Sequence, residues 1–142
     1  MLYTNLTKKA MKIAFTAHKE QVDKNGMPYI YHPIHVAEQM TDEATICVAL
    51  LHDVIEDTDI TIEMLAAEGF PDSVLTALQL LTHDEQVPYL TYVGEIKTNP
   101  IASVLKIADL KHNSDLTRLD RIDEKSLARV EKYKKAIELL ST

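Results

Sequence analysis

The chain has 142 residues, of which 46% are hydrophobic and 26% are charged, and its formal net charge is −7. This length suits one domain with a substantial core, predicted to span residues 1–142, and the negative charge argues against broad nucleic-acid binding. Because no run of about 18 apolar residues occurs, no membrane span is expected. The single Cys47 and the absence of a signal-peptide pattern predict a cytoplasmic location.

The first part of the chain predicts two helices separated by a loop. Apolar residues recur at helical spacing after Thr4 or Asn5, either of which suits an N-cap. The segment 23–28, which contains a glycine and a proline, interrupts that pattern. Pro33 suits the first turn of the second helix, which is expected to run through Met40.

A third predicted helix, from about Glu43 to Ile55, is apolar around most of its circumference and is expected to be buried. The next predicted helices cover residues 61–67, 72–81, 88–97 and 100–112. A last helix is expected to begin after Asp123, which suits an N-cap. The sequence therefore predicts an all-α bundle of about seven or eight helices.

The end of the buried helix carries four ionisable residues: His52, Asp53, Glu56 and Asp57. Glu56 and Asp57 follow Asp53 by three and four residues, so they share a helix face with it, where the acids repel each other unless a cation lies among them. The alternative is a solvated acidic helix end, but acids at that end oppose the helix dipole. This run therefore favours a metal site.

Two residues elsewhere extend the candidate site. His32 lies at a loop-to-helix junction, and Asp109 ends an apolar helical run. Taken singly, His32 suits a turn residue with one hydrogen bond, and Asp109 suits a helix-end acid with a local partner. With His52 and Asp53 they form a set of two imidazoles and two carboxylates, which suits Mn, Fe, Co, Ni or Zn. Open positions for water would make such a metal catalytic.

Four stretches in this order resemble the HD-domain metal-dependent phosphohydrolases, and more closely the hydrolase domain of RelA/SpoT proteins and the small alarmone hydrolases. They begin with Ala17-His18 through Gln21 and Gly26 through Pro33, the latter reading Gly-Met-Pro-Tyr-Ile-Tyr-His-Pro. The third is the run from Ala49 to Thr58, and the fourth runs from Leu105 to Asn113. The resemblance covers nearly the whole chain.

The resemblance implies an HD-type fold and removal of the 3′-pyrophosphate from ppGpp or pppGpp, a reaction of the stringent response. It also implies one Mn²⁺ per chain, held by His32, His52, Asp53 and Asp109. Glu56 and Asp57 would position and activate the attacking water, and Asn113 would contact the ribose or phosphate region. We further expect Lys24 to meet phosphate, because its loop leads directly to His32.

The chain departs from the family pattern at two places. Asp23 replaces a loop arginine that stacks on guanine, and Leu110 and Lys111 replace Arg and Leu in the last stretch. Because an aspartate lacks the stacking surface of arginine, the sequence predicts weaker binding of ppGpp and poor discrimination against adenine. The metal and water chemistry is expected to be intact.

Two other functions remain open on the sequence alone. The same chemistry could serve another phosphorylated metabolite, or the chain could be a regulatory module that binds metal and nucleotide without turnover. Glu56 and Asp57 argue for an enzyme, since a binding module has no need of two water-activating acids. The predicted partner is a small phosphorylated nucleotide, and a homo-oligomer is possible.

Overall fold

The computed structural model describes residues 1–142 and contains nine α-helices, with one isolated bridge between Val22 and Pro28. The prediction of an all-α bundle is confirmed. None of the helices combines the length and the apolar character that crossing a membrane requires. The helices are α1 (Asn5–His18), α2 (Tyr31–Glu38), α3 (Glu43–Leu51), α4 (Val54–Asp57), α5 (Ile62–Ala67), α6 (Asp72–Leu81), α7 (Tyr89–Ile96), α8 (Pro100–Asn113) and α9 (Glu124–Ser141), with a 3₁₀ turn at Leu116–Arg118.

Helix α3 is the centre of the core. All its residues from Thr45 to Leu51 are buried, and it contacts α1, α2, α6 and α8. Full burial of one large aliphatic side chain contributes roughly 1.5–3 kcal/mol, so this helix is held firmly on all sides. Its C-terminal end, where His52 follows, is therefore a fixed point in the molecule.

The ends of α1 and α9 follow from local side-chain chemistry. The hydroxyl of Thr4 accepts a hydrogen bond from the backbone amide of Thr7 at 3.1 Å. The carboxylate of Asp123 accepts one from the amide of Ser126 at 2.8 Å. Such caps satisfy amides that the first turn of a helix leaves unpaired. Both predicted N-terminal caps, Thr4 and Asp123, are confirmed.

The prediction of one helix from Glu43 to Ile55 is wrong, because the helix breaks after Leu51. The Nδ1 atom of His52 lies 2.5 Å from the carbonyl oxygen of Ala49, which a continuous helix would pair with the amide of Asp53. Consecutive side chains on an unbroken helix diverge by about 100°. The break instead brings Nε2 of His52 within 3.0 Å of Oδ2 of Asp53.

Candidate metal centre and active site

Three separate elements bring four potential ligands together. His32 lies in the first turn of α2, His52 and Asp53 form the turn between α3 and α4, and Asp109 lies in α8. One ligand atom from each of the four residues lies within 4.8 Å of the others. Nε2 of His32 is 2.8 Å from Oδ1 of Asp109 and 3.6 Å from Oδ2 of Asp53.

This cluster has the chemistry of a metal site. Nε2 of His52 is buried and has no hydrogen-bond partner, whereas Nδ1 is bonded to the carbonyl of Ala49. In the neutral imidazole, Nε2 therefore carries a lone pair that faces the carboxylates of Asp53 and Asp109 at 3.0 and 3.4 Å. Ligands about 2.0–2.2 Å from one ion lie roughly 3 Å from each other. The four residues therefore fit a divalent transition metal.

A second histidine orients His32. Nδ1 of His32 lies 2.7 Å from Nδ1 of His112, and the two ring planes are within 4° of parallel with their centroids 5.0 Å apart. Burial, with a contribution from the nearby Arg118, lowers the pKa of His112 to about 4. Neutral His112 can therefore accept a hydrogen bond from Nδ1–H of His32, which leaves the lone pair of Nε2 of His32 free to bind a metal.

Without a metal, the charges of the cluster shift the pKa values of its own residues. Burial alone would lower the pKa of His52, but the carboxylates of Asp53 and Asp109 outweigh it and raise that pKa well above its usual value. Burial alone would raise the pKa of Asp109, but Lys106 and the two histidines hold it well below its usual value. Without a metal, the carboxylates of Asp53 and Asp109 therefore favour a proton on His52.

We expect metal binding to release about one proton per ion near pH 7, because His52 must lose its proton to become a ligand. Affinity should accordingly rise with pH, by up to about tenfold per unit for one released proton. Calorimetric titration with Mn²⁺ in two buffers of different ionisation enthalpy measures this number. Identical heats in the two buffers would show that no proton leaves and that His52 is not protonated in the metal-free protein.

Two supporting residues were not predicted. The hydroxyl of Tyr29 donates to Oδ2 of Asp53 at 2.6 Å, and Nζ of Lys106 lies 3.0 Å from Oδ2 of Asp109. Both contacts hold a carboxylate so that it faces the cluster. The position of Lys106 three residues before Asp109 was a usable signal, since such residues share a helix face. Nothing in the local sequence connects Tyr29 with Asp53.

The two predicted water-activating acids lie on α4, beside the cluster but outside it. Oε1 of Glu56 accepts a hydrogen bond from the backbone amide of His83 at 2.6 Å. Oδ2 of Asp57 accepts one from Nε2 of Gln21 at 3.3 Å, and Gln21 is in turn bonded to His18. Burial raises the pKa of both acids, which makes each a stronger proton acceptor.

A cavity of about 350 Å³ opens beside His32. The predicted substrate-binding residues Lys24 and Asn113 both lie on its wall, together with Tyr29 and Arg129. Nδ2 of Asn113 donates to Oδ1 of Asp109 at 3.1 Å. Asn113 therefore connects the cavity to a candidate metal ligand, which gives it a positioning role that sequence reasoning missed.

Asp23 has structural partners that the sequence did not reveal. Its Oδ1 accepts hydrogen bonds from the backbone amides of Asn25 at 2.8 Å and Met27 at 3.1 Å. Its Oδ2 lies 4.0 Å from Nη2 of Arg118. The carboxylate thus shapes its own loop and faces a cation, two contacts that the comparison with the family's arginine did not predict.

The chain is similar to known proteins along most of its length. The HD domain family matches residues 10–137. A guanosine-3′,5′-bis(diphosphate) 3′-pyrophosphohydrolase of Aquifex aeolicus is 33% identical over 139 residues, which are 89% of this chain and 19% of that protein. The human guanosine-3′,5′-bis(diphosphate) 3′-pyrophosphohydrolase MESH1 is 36% identical over 123 residues, 77% of this chain and 68% of that protein.

The fold also resembles a solved structure, that of a metazoan orthologue of SpoT described as hydrolysing ppGpp. The TM-score is 0.77, and the match covers 99% of this chain and 88% of the other at 24% sequence identity. At that identity the likeness supports the fold. It agrees with the helical arrangement that brings the four candidate ligands together.

Proposed function

The chain belongs to the HD domain family, and on that basis we propose that it is a metal-dependent hydrolase that removes the 3′-pyrophosphate from ppGpp or pppGpp. The observation that carries the proposal is the convergence of His32, His52, Asp53 and Asp109, with the unpartnered Nε2 of His52 in their midst. Two relatives named for this reaction support the choice of substrate. The cavity of about 350 Å³ lies within the range of small-molecule sites.

The four residues would hold one divalent metal, for which we propose Mn²⁺ because the mixed imidazole and carboxylate set suits it. That metal would supply Lewis acidity to a phosphoryl oxygen and would acidify a water molecule. Tyr29 and Lys106 hold the carboxylates of Asp53 and Asp109 in place. His112 keeps the ring of His32 oriented.

Two acidic side chains carry out the proton transfers of the reaction. Glu56 and Asp57 accept it from the attacking water, whose oxygen forms a bond to the phosphorus next to the ribose. The bond from that phosphorus to the 3′ oxygen breaks, and the protonated acid returns its proton to this oxygen. The backbone amide of His83 and the side chain of Gln21 hold the two carboxylates for this exchange. The products are pyrophosphate and GDP, or GTP from pppGpp.

We also propose a cytoplasmic location and a free nucleotide, rather than a nucleic acid, as the partner. The formal net charge of −7 supports this, because nonspecific nucleic-acid binding requires a positive surface. The buried free thiol of Cys47 is compatible with a reducing compartment. The cations Lys24, Arg118 and Arg129 make the cavity wall locally suited to a phosphorylated ligand.

The decisive experiment is product analysis after incubation of the protein with ppGpp and Mn²⁺, with EDTA as the control. We expect GDP and pyrophosphate in equal amounts, and no products with EDTA. A panel of other phosphorylated nucleotides and sugars tests for a different substrate. If the protein hydrolyses another compound of this panel in a metal-dependent way and leaves ppGpp unchanged, that compound replaces ppGpp as the proposed substrate. Binding without turnover of any member would point to a regulatory module.

A further inference from the structure

Arg118 occupies a distinctive place between the cavity and the metal centre. It follows α8 in the 3₁₀ turn Leu116–Arg118 and lies on the wall of the 350 Å³ cavity. Its Nη1 donates to the carbonyl oxygen of His112 at 3.0 Å and to Oδ1 of Asn113 at 3.3 Å. Since Asn113 is bonded to Asp109, the guanidinium is one side chain away from a candidate metal ligand.

These contacts fix one edge of the guanidinium and leave the other available. The Nη2 atom has only the 4.0 Å contact with Asp23, and Nε donates to no protein acceptor. The side chain is 27% exposed, and Arg118 is one of the residues that line the cavity. A guanidinium held at one edge offers the other to acceptor atoms in a fixed plane, with little entropy left to lose.

We infer that Arg118 is a specificity-determining residue, which donates hydrogen bonds from its free edge to acceptor atoms of the bound nucleotide. This inference rests on the proposed function and adds a residue to it. The acceptor chemistry is shared by a phosphate group at the 5′ end and by O6 and N7 of guanine, both of which suit the planar fork of arginine.

Asp23 is the acid that lies nearest to this guanidinium. Its Oδ1 is taken by two backbone amides of its own loop, so Oδ2 is the oxygen that faces Arg118. The arrangement explains how the loop can carry an acid beside an anionic ligand. The charge of the acid is partly offset by a cation that comes from a different part of the chain.

The test is the affinity for ppGpp measured by calorimetry with Mn²⁺, in a Glu56→Gln background that slows turnover by about 10²–10⁴-fold. Arg118→Gln should weaken binding about tenfold or more, as loss of a charged hydrogen bond does. The matched control is Arg121→Gln, which removes the same charge from an exposed arginine three residues away, outside the wall of this cavity. This control should bind ppGpp like the background protein.

Two analogues identify the contacted group. With guanosine 3′-diphosphate, the effect of Arg118→Gln should vanish if the 5′ phosphates are the acceptors. With the adenosine counterpart of ppGpp, the effect should vanish if the acceptors are O6 and N7 of guanine. Either result supports the inference. In otherwise unmodified enzyme, Arg118→Gln should raise KM while metal content and kcat stay close to the original values.

Asp23→Asn provides the second variant. The amide oxygen can still accept from the loop amides, but the charge that faces Arg118 is lost, so we expect a smaller rise in KM than for Arg118→Gln. The inference is overturned if Arg118→Gln binds ppGpp normally, if Arg121→Gln matches its loss, or if all three ligands lose equally. It is also overturned if the background protein does not bind ppGpp. Binding of ppGpp without hydrolysis by the unmodified chain would reject only the proposed function.

Discussion

Asp53→Asn is expected to lower the affinity for Mn²⁺ by more than about 100-fold, since loss of a residue that merely supports a ligand already costs about 10–100-fold. The substitution keeps the shape of the side chain but removes the charge that lies 3.0 Å from Nε2 of His52 and 3.6 Å from Nε2 of His32. Calorimetric titration of metal-free protein and elemental analysis after purification measure the loss. His52→Ala should behave in the same way.

Asp59→Asn is the matched control, because it makes the same change at an exposed acid six residues along the chain. It should bind metal as the unmodified protein does. Circular dichroism of the metal-free proteins checks that the helices remain. If Asp53→Asn carries a full complement of metal while folded, the ion is held elsewhere and the assigned centre is wrong.

Glu56→Gln is expected to lower kcat by about 10²–10⁴-fold while the protein keeps its metal, the range typical for loss of a general base. The amide oxygen can still accept from the backbone amide of His83, so the side chain stays in place but cannot take a proton. Asp57→Asn tests the second acid in the same way. Steady-state hydrolysis of ppGpp with saturating Mn²⁺, together with metal analysis, separates the loss of chemistry from the loss of metal.

The pH profile adds a second readout. Burial raises the pKa of Glu56, so the ionised base is lost as pH falls through a value above that of an ordinary carboxyl group. Activity should therefore decline on the acid side, and this limb should change in Glu56→Gln. Glu63→Gln, at an exposed position on α5, is the control and should leave both rate and profile unaltered. Full activity in both Glu56→Gln and Asp57→Asn would assign the proton transfer to another group.

Features that depend on neighbouring residues were predictable from the sequence. The caps Thr4 and Asp123 bond to amides three residues away, so the pattern of a polar residue before an apolar stripe was sufficient. The buried helix α3 was predictable because almost every residue in it is apolar. Its end was misplaced, since the bond between His52 and the carbonyl of Ala49 depends on a rotamer that periodicity does not report.

The candidate ligands His32, His52, Asp53 and Asp109 were named from the sequence, because their residue types and order resemble a known family. The contacts that support these ligands were harder to predict from the sequence. Tyr29 is 24 residues from Asp53, and Asp23 is 95 residues from Arg118, so no local pattern joins the members of either pair. Such pairs form only when helices pack and rotamers are chosen together.

The sequence by itself therefore determined the helical class and the caps, because periodicity and residue type act within a few positions of the chain. The four candidate ligands came from its resemblance to a known family. The tertiary structure decided where the central helix breaks, which nitrogen of His52 is free, and that Asp23 faces Arg118 across the cavity wall. These outcomes depend on distances between side chains from separate elements. Packing of the whole core sets those distances.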